Sequence, residues 1–238
     1  DNFFELGGNS LSATQVIARV NAALNARVGI REIFEAPTAA GLALRAERAV
    51  EYGTRVPLAP RERPDEIPLS LAQQRMWFLN RFDASSAAYN IPLAIKLTGD
   101  LDVAALEQAV VDVVGRHEVL RTVYPEGENG PHQVVLPIDR TGLSLTVDDV
   151  DEADVRARLY GFVTRGFDVT IEVPVRAAIY RTGPSEQILA FVIHHVSSDG
   201  FSLGPLARDV MVAYSSRIAG NAPVWAPLPV QYADYTLW

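Results

Sequence analysis

Residues 188–193, ILAFVI, form an unbroken apolar run with no alternation of polar and apolar positions. A strand that shows one face to water alternates; one that does not alternate needs a packed layer on each side. The run therefore demands a sheet covered on both faces. It ends in His194 and His195, two of only four histidines in the chain. Successive strand side chains point to opposite faces, so the two imidazoles diverge and only one enters a given cavity. SSDG then leads into FSLGPLARDVMVAYSSRIAG, which reads as a helix closing at Gly220. A strand end followed by a helix start is a favoured place for a site in layered α/β proteins.

Prolines at 57, 60, 64 and 68 interrupt periodicity upstream and mark residues 51–67 as a linker, extended in part because proline fixes the backbone. Before it, NSLSATQVIARVNAAL places Leu11, Val16, Ile17, Val20 and Leu24 near one helical stripe, with Asn9 or Ser10 as cap. A short helix stopped by Pro37 follows, then one capped by Thr38. Three helices in about fifty residues make a small unit with a marginal core.

After the linker, strand and helix signals alternate. SLAQQRMWFLNRF reads as a helix with Leu71, Met76, Phe78 and Leu79 partly inward and Met76 and Trp77 in the core; Arg75 is a candidate for a local pair. NIPLAIKLTG reads as a strand. A helix capped by Asp102 buries Val103, Leu106, Val110 and Val114. HEVLRTVYPEG and HQVVLP read as a strand pair turning around Gly127 to Gly130. LSLTVDDV is a short strand, and DEADVRARLYGFVTRGF a helix with acids where the dipole favours them. VPVRAAIYRTG and EQILAFVIHHV read as a hairpin. There is no internal repeat.

Nearly half of the 238 residues are hydrophobic, enough for a buried core, and the net charge is −8 with a pI near 5.0. That balance argues against a nucleic-acid footprint. With no cysteine, a disulfide framework, a thiolate nucleophile and a zinc–cysteine site are excluded. No apolar run approaches bilayer length, and DNFFELGGNS lacks the shape of a signal peptide. The expected location is cytoplasmic.

Imidazole titrates near neutrality and can take or steer a proton. An aspartate nearby can hold it, or brace the loop through an arginine. Gly200 would let a backbone amide approach a reacting oxygen. From the residues alone the favoured reading is one core histidine and an Asp199 that only caps the helix. Diverging histidines with no third ligand nearby make a metal site a weak reading.

HHVSSDG matches the HHxxxDG pattern of nonribosomal peptide synthetase condensation domains. SLAQQRMW at 70–77 resembles the first motif of that family, RHEVLRT at 116–122 the second, and PVQYADYTLW at the C-terminus its QYADYA-W stretch. DNFFELGGNSLSATQV resembles the core of a peptidyl carrier protein, DxFFxLGGxSL. The resemblance covers almost the whole chain. It implies an α+β protein: a small helical-bundle carrier over 1–50, the linker over 51–67, and over 68–238 the N-terminal lobe of a chloramphenicol acetyltransferase-like sandwich.

The resemblance further implies that Ser10 bears phosphopantetheine, which would be the chain's only source of a thiol. Ser10 then sits at a helix start whose unpaired amides and dipole favour phosphate, with Gly7 and Gly8 leaving it accessible. An ordinary N-cap is the other reading of Ser10. Leu11 and Phe34 are expected to be exposed docking residues, with Leu11 equally able to be core.

In condensation domains the second histidine faces the substrate tunnel, here His195, as base or positioning group, while His194 packs. There the acceptor amine attacks the donor thioester. Asp199 would be structural, paired with Arg121 or Arg116; Arg121 is favoured because a strand through Val119, Arg121 and Val123 would turn it inward. Breaking such a pair would cost ~3–5 kcal/mol, so Asp199→Asn should lower stability. Gly200 and Ser202 would line the acceptor side, with Ser202 capping the helix. His117 is expected to be a structural hydrogen-bonding residue.

The implied partners are carrier-bound aminoacyl or peptidyl thioesters, neighbouring carrier and adenylation domains, and a phosphopantetheinyl transferase. The resemblance also leads one to expect a further carrier helix before DNFF and a second lobe after YTLW, so that this lobe alone would be inactive and expose an apolar face. FSLGPL after the motif speaks against an epimerisation domain, and the intact histidines against heterocyclisation. SLAQQRMWFL favours an L-configured donor. Two alternatives are a non-catalytic docking module in which only Ser10 carries substrate, and a free acyltransferase of the same fold.

Overall fold

The computed structural model describes residues 1–50 and 56–238, and the chain divides into two compact units, Asp1–Pro57 and Leu58–Trp238. Of the linker expected at 51–67, residues 51–55 lie outside the described residues. The segment from Leu58 onward belongs to the second unit, where the Arg61 amide donates to Asp234 at 3.4 Å and Arg63 pairs with Glu118 at 2.8 Å.

The first unit holds three helices, α1 (Ser10–Leu24), α2 (Ile30–Glu35) and α3 (Ala39–Val50). Its core is Ala13, Ile17, Ala26, Val28, Ile33, Leu42 and Ala46, with Phe3, Phe4, Val16 and Val20 packed against it. The buried face of α1 thus runs through 13, 16, 17 and 20. Leu11 and Leu24, expected on that stripe, are about half exposed, at 51% and 49%. Asn9 caps α1 and Thr38 caps α3 through the Gly41 amide at 3.1 Å.

The second unit is mixed α/β. One sheet runs β2 (Asn90–Thr98), β8 (Glu186–His194), β7 (Val175–Gly183), β6 (Leu145–Asp149); β6 and β7 are parallel and the other pairs antiparallel. The parallel pair is joined through α6 (Glu152–Thr164). A smaller sheet pairs β5 (Gly130–Val135) with β1 (Ile67–Pro68), β3 (Thr122–Val123) and β4 (Glu126–Gly127). β8 is an inner strand covered on both faces, as its sequence demands. Leu189, Phe191 and Ile193 join the core under α5 (Val103–Arg116) and α7 (Leu203–Ile218). Ala190 and Val192 belong to the clusters on the other face, with Phe162 of α6 packed against both.

Two sequence expectations are corrected here. On α4 (Leu71–Phe82), Leu71, Phe78 and Phe82 are 86%, 66% and 87% exposed, while Gln73 and Asn80 are buried. The inward stripe is 73, 76, 77, 80, because buried amides need partners and these have them. Gln73 donates to Gln133 at 3.2 Å, Trp77 to the Tyr124 carbonyl at 2.8 Å and Asn80 to the Phe167 carbonyl at 2.7 Å. Residues Glu118–Arg121 wind into a 3-10 turn rather than a strand, so strand alternation does not place Arg121; its side chain is still mostly buried, 18% exposed.

Candidate functional site

The two histidines part as strand geometry requires. His194 is the last residue of β8 and only 1% exposed. Its amide donates to the Pro174 carbonyl at 2.9 Å, and its Nδ1 accepts the Val196 amide at 3.1 Å. Burial, then the charges of His195 and Arg176, hold its imidazole down at about 4. His195 is the first residue past β8; its amide donates to the Tyr89 carbonyl at 2.8 Å, while the residue is exposed. One imidazole is therefore locked and neutral; the other is presented just past the strand end.

Asp199 and Ser202 close the turn that follows. Asp199 Oδ1 accepts the Phe201 amide at 3.1 Å, the Ser202 amide at 2.9 Å and the Ser202 hydroxyl at 2.6 Å; the Asp199 amide in turn donates to Ser202 Oγ at 3.2 Å. Burial raises the Asp199 pKa, but the Ser202 and Phe201 hydrogen bonds and the His195 charge outweigh it, and the net shift is downward. Gly200 is exposed, and a Cβ there would meet open space.

The expected ion pair between Asp199 and an arginine is absent among the described residues. Asp199 already accepts three hydrogen bonds on one oxygen. Arg121, redirected by the 3-10 turn, donates to the Leu136 carbonyl at 2.6 Å and lies 3.8 Å from Glu118. Arg116 pairs with Asp209 of α7 at 3.0 Å and stacks over Trp225 at 4.9 Å. His117 meets the same carboxylate at 2.9 Å, as befits a structural residue. Ser202 stands at the start of α7 in helical conformation without a side-chain cap bond to the helix; Asp199 caps the turn before α7, not α7 itself.

Ser10 is exposed and opens α1. It is not the cap: Asn9 Oδ1 accepts the Leu11 and Ser12 amides, both at 3.0 Å. Those amides are therefore taken, and what remains to favour an anion at Ser10 is the helix dipole and the Ser10 amide. The glycines before it have local reasons. Gly7 has φ +93°, and a Cβ on Gly8 would run into Phe3. Phe34 is half exposed and stacks on Phe4 at 5.0 Å between centroids. The exposed, unobstructed serine fits covalent attachment of a long prosthetic arm.

Sequence reasoning missed Asp209 and Phe167, whose partners Arg116 and Asn80 lie far away in the chain, and Arg176, whose partners lie about ten residues upstream across a loop. The spacing of Gln73 and Asn80 on the face of Met76 and Trp77 was the one local signal of a buried polar stripe. No helix among the described residues is long and apolar enough to cross a membrane.

Comparison with known proteins follows the same division. The family model for a phosphopantetheine attachment site matches residues 1–45, and that for the condensation domain residues 63–238. A probable non-canonical nonribosomal peptide synthetase, CymA, of Salinispora arenicola is 46% identical over the whole of this chain, which spans 3% of that protein. A dimodular nonribosomal peptide synthase of Bacillus subtilis is 44% identical, again over the whole chain and 10% of its own length. The chain thus spans a tenth or less of these relatives. Among solved structures, the X-domain of teicoplanin biosynthesis in complex with OxyB is 36% identical with a TM-score of 0.73, covering 78% of this chain and 40% of that one. The starter condensation domain of the rhizomide synthetase, 21% identical with a TM-score of 0.65 over 73% of this chain and 43% of that one, shares the fold.

Proposed function

Because the chain belongs to the nonribosomal peptide synthetases, as a phosphopantetheine carrier domain followed by a condensation domain, we propose that it holds a substrate on Ser10 and forms peptide bonds at His195. Ser10 is the attachment point, modified by a phosphopantetheinyl transferase. The prosthetic group supplies the thiol that the sequence lacks. The carrier occupies 1–50, the linker 51–67, and the first lobe of the condensation domain 68–238.

At the second site a carrier-bound acceptor amine attacks the carbonyl of a carrier-bound donor thioester. His195 holds the amine, or takes its proton, from the turn that follows β8, where its amide is tied to the Tyr89 carbonyl. A positioned acid–base group is worth about 10²–10⁴ in rate, and because a thioester is already activated, orientation supplies much of the gain. The Asp199–Ser202 turn fixes the loop, and Gly200 leaves room on the acceptor side. SLAQQRMWFL supports an L-configured donor. Solved relatives extend well beyond the part this chain covers, which supports a channel completed by residues outside it; neighbouring carrier and adenylation domains are its working partners.

The single observation that carries this reading is the exposed His195 beside a buried His194. The 36% identity to an X-domain solved in complex with OxyB favours a second reading, a docking platform without chemistry. The discriminating experiment loads donor and acceptor carriers in the synthetase containing this chain and looks for the new amide by mass spectrometry. Product is expected; loaded carriers that bind yet yield none would favour the platform.

A further inference from the structure

A partly buried cation that the proposed chemistry does not use lies near the histidine pair. Arg176 of β7 is directly opposite Val192 of β8, so its side chain shares the sheet face of His194. Its Nη2 donates to the carbonyls of Arg165 at 2.6 Å and Gly166 at 3.1 Å. Its Nε and Nη1 are buried without a hydrogen-bond partner among the described residues. The guanidinium lies 3.7 Å from the centroid of the Phe167 ring.

Phe167 is fully buried and meets His194 edge to face, centroids 5.9 Å apart at 75°. Beyond His194 comes Tyr89, 6.4 Å away, whose carbonyl accepts the His195 amide. Arginine, phenylalanine, histidine and tyrosine thus form one chain of contacts ending at the backbone of His195. An amide always carries its proton, so the Val196 N–H fixes Nδ1 of His194 as the acceptor and leaves the ring proton on Nε2. A partly buried guanidinium with two unpaired nitrogens is costly, and a ring face recovers only part of that cost.

We propose that Arg176 is a positioning residue for the reaction: it holds the Phe167 ring against which His194 packs, and thereby the turn from which His195 leaves the sheet. His194 shows the consequence in its depressed pKa of about 4, for which burial is the first cause and the His195 and Arg176 charges the next. Around Arg176, burial lowers its own pKa to about 10, Arg165 opposes its charge and Glu172 supports it. Protonated His194 would set a donor against the Val196 N–H, and the turn would open.

The effect on rate rests on the reading of His195 given above; the brace itself does not. Imidazole nitrogen–proton NMR on this chain tests the brace. Wild type is expected to show His194 as the Nε2–H tautomer at neutral pH. Arg176→Met should raise its titration midpoint, and Arg176→Lys should restore it toward wild type. An Nδ1–H tautomer, or a midpoint unmoved in Arg176→Met, overturns the proposal. Phe167→Leu keeps the charge and breaks the contact; faster hydrogen exchange at the Val196 amide is expected, and unchanged exchange counts against the brace. In the full synthetase Arg176→Met should lower kcat about ten- to a hundredfold with KM little changed, and move the acid limb of the pH profile upward. A wild-type rate and an unmoved acid limb would overturn the positioning role. If His195→Ala condenses normally, the functional reading fails while the NMR outcome still decides the brace.

Discussion

At the residue scale, the two proposed sites are built on one device. Asn9 and Ser12 exchange hydrogen bonds around the start of α1, and Asp199 and Ser202 do so before α7. In each the residue after the cap, Ser10 or Gly200, is left exposed. Because Asn9 is the cap, Ser10→Ala should change stability by less than about 0.5 kcal/mol. It should also abolish the mass gain seen after treatment with coenzyme A and a phosphopantetheinyl transferase; a gain that persists would place the attachment elsewhere. Asp199 acts through one acceptor oxygen, and Asn keeps that oxygen. Asp199→Asn should therefore be mild, whereas Asp199→Ala should lose about 1–2 kcal/mol in urea denaturation. Equal loss from both would mean that the charge, not the cap, matters. The lowered Asp199 pKa adds stability above the ordinary carboxylate range that disappears in acid.

At the scale of elements, the strands and most helices were legible because their patterns are local. ILAFVI demanded cover on both faces and has it, and the divergence of His194 and His195 followed from the strand period alone. What the sequence hid is long-range. Arg116 and His117 meet Asp209 some ninety residues later, and no periodicity reports such a pairing. The inward face of α4 was misread because its burial is carried by amides rather than by Leu71 and Phe78. Arg121 was misdirected because a 3-10 turn and a strand are hard to tell apart over four residues. Asp209, 4% exposed, ties α7 to the end of α5; Asp209→Ala should cost about 3–5 kcal/mol, measured as a shift in the urea midpoint, and a wild-type midpoint would show the tie to be dispensable. β8 has a pH signature of its own. His194 titrates near 6.5 when unfolded and about 4 when folded, so the folded state binds fewer protons between those values. Stability should fall as pH drops through that window and be flat with respect to this group above it; His194→Gln should remove that component of the slope.

For the whole molecule, the division into two units matches the division of labour proposed above: a small helical unit presenting Ser10, and a mixed α/β unit presenting His195. The segment between them is anchored to the second unit from Arg61 and Arg63 onward, so the linker expected from prolines alone is in part a strap on the larger unit. The account stands or falls on His195. Its most direct test is the single-turnover rate of peptide-bond formation in the intact synthetase, both carriers loaded, for wild type against His195→Ala. A fall of between about 10² and 10⁴ is predicted, with loading of Ser10 unaffected. Formation of the bond at the wild-type rate would contradict it.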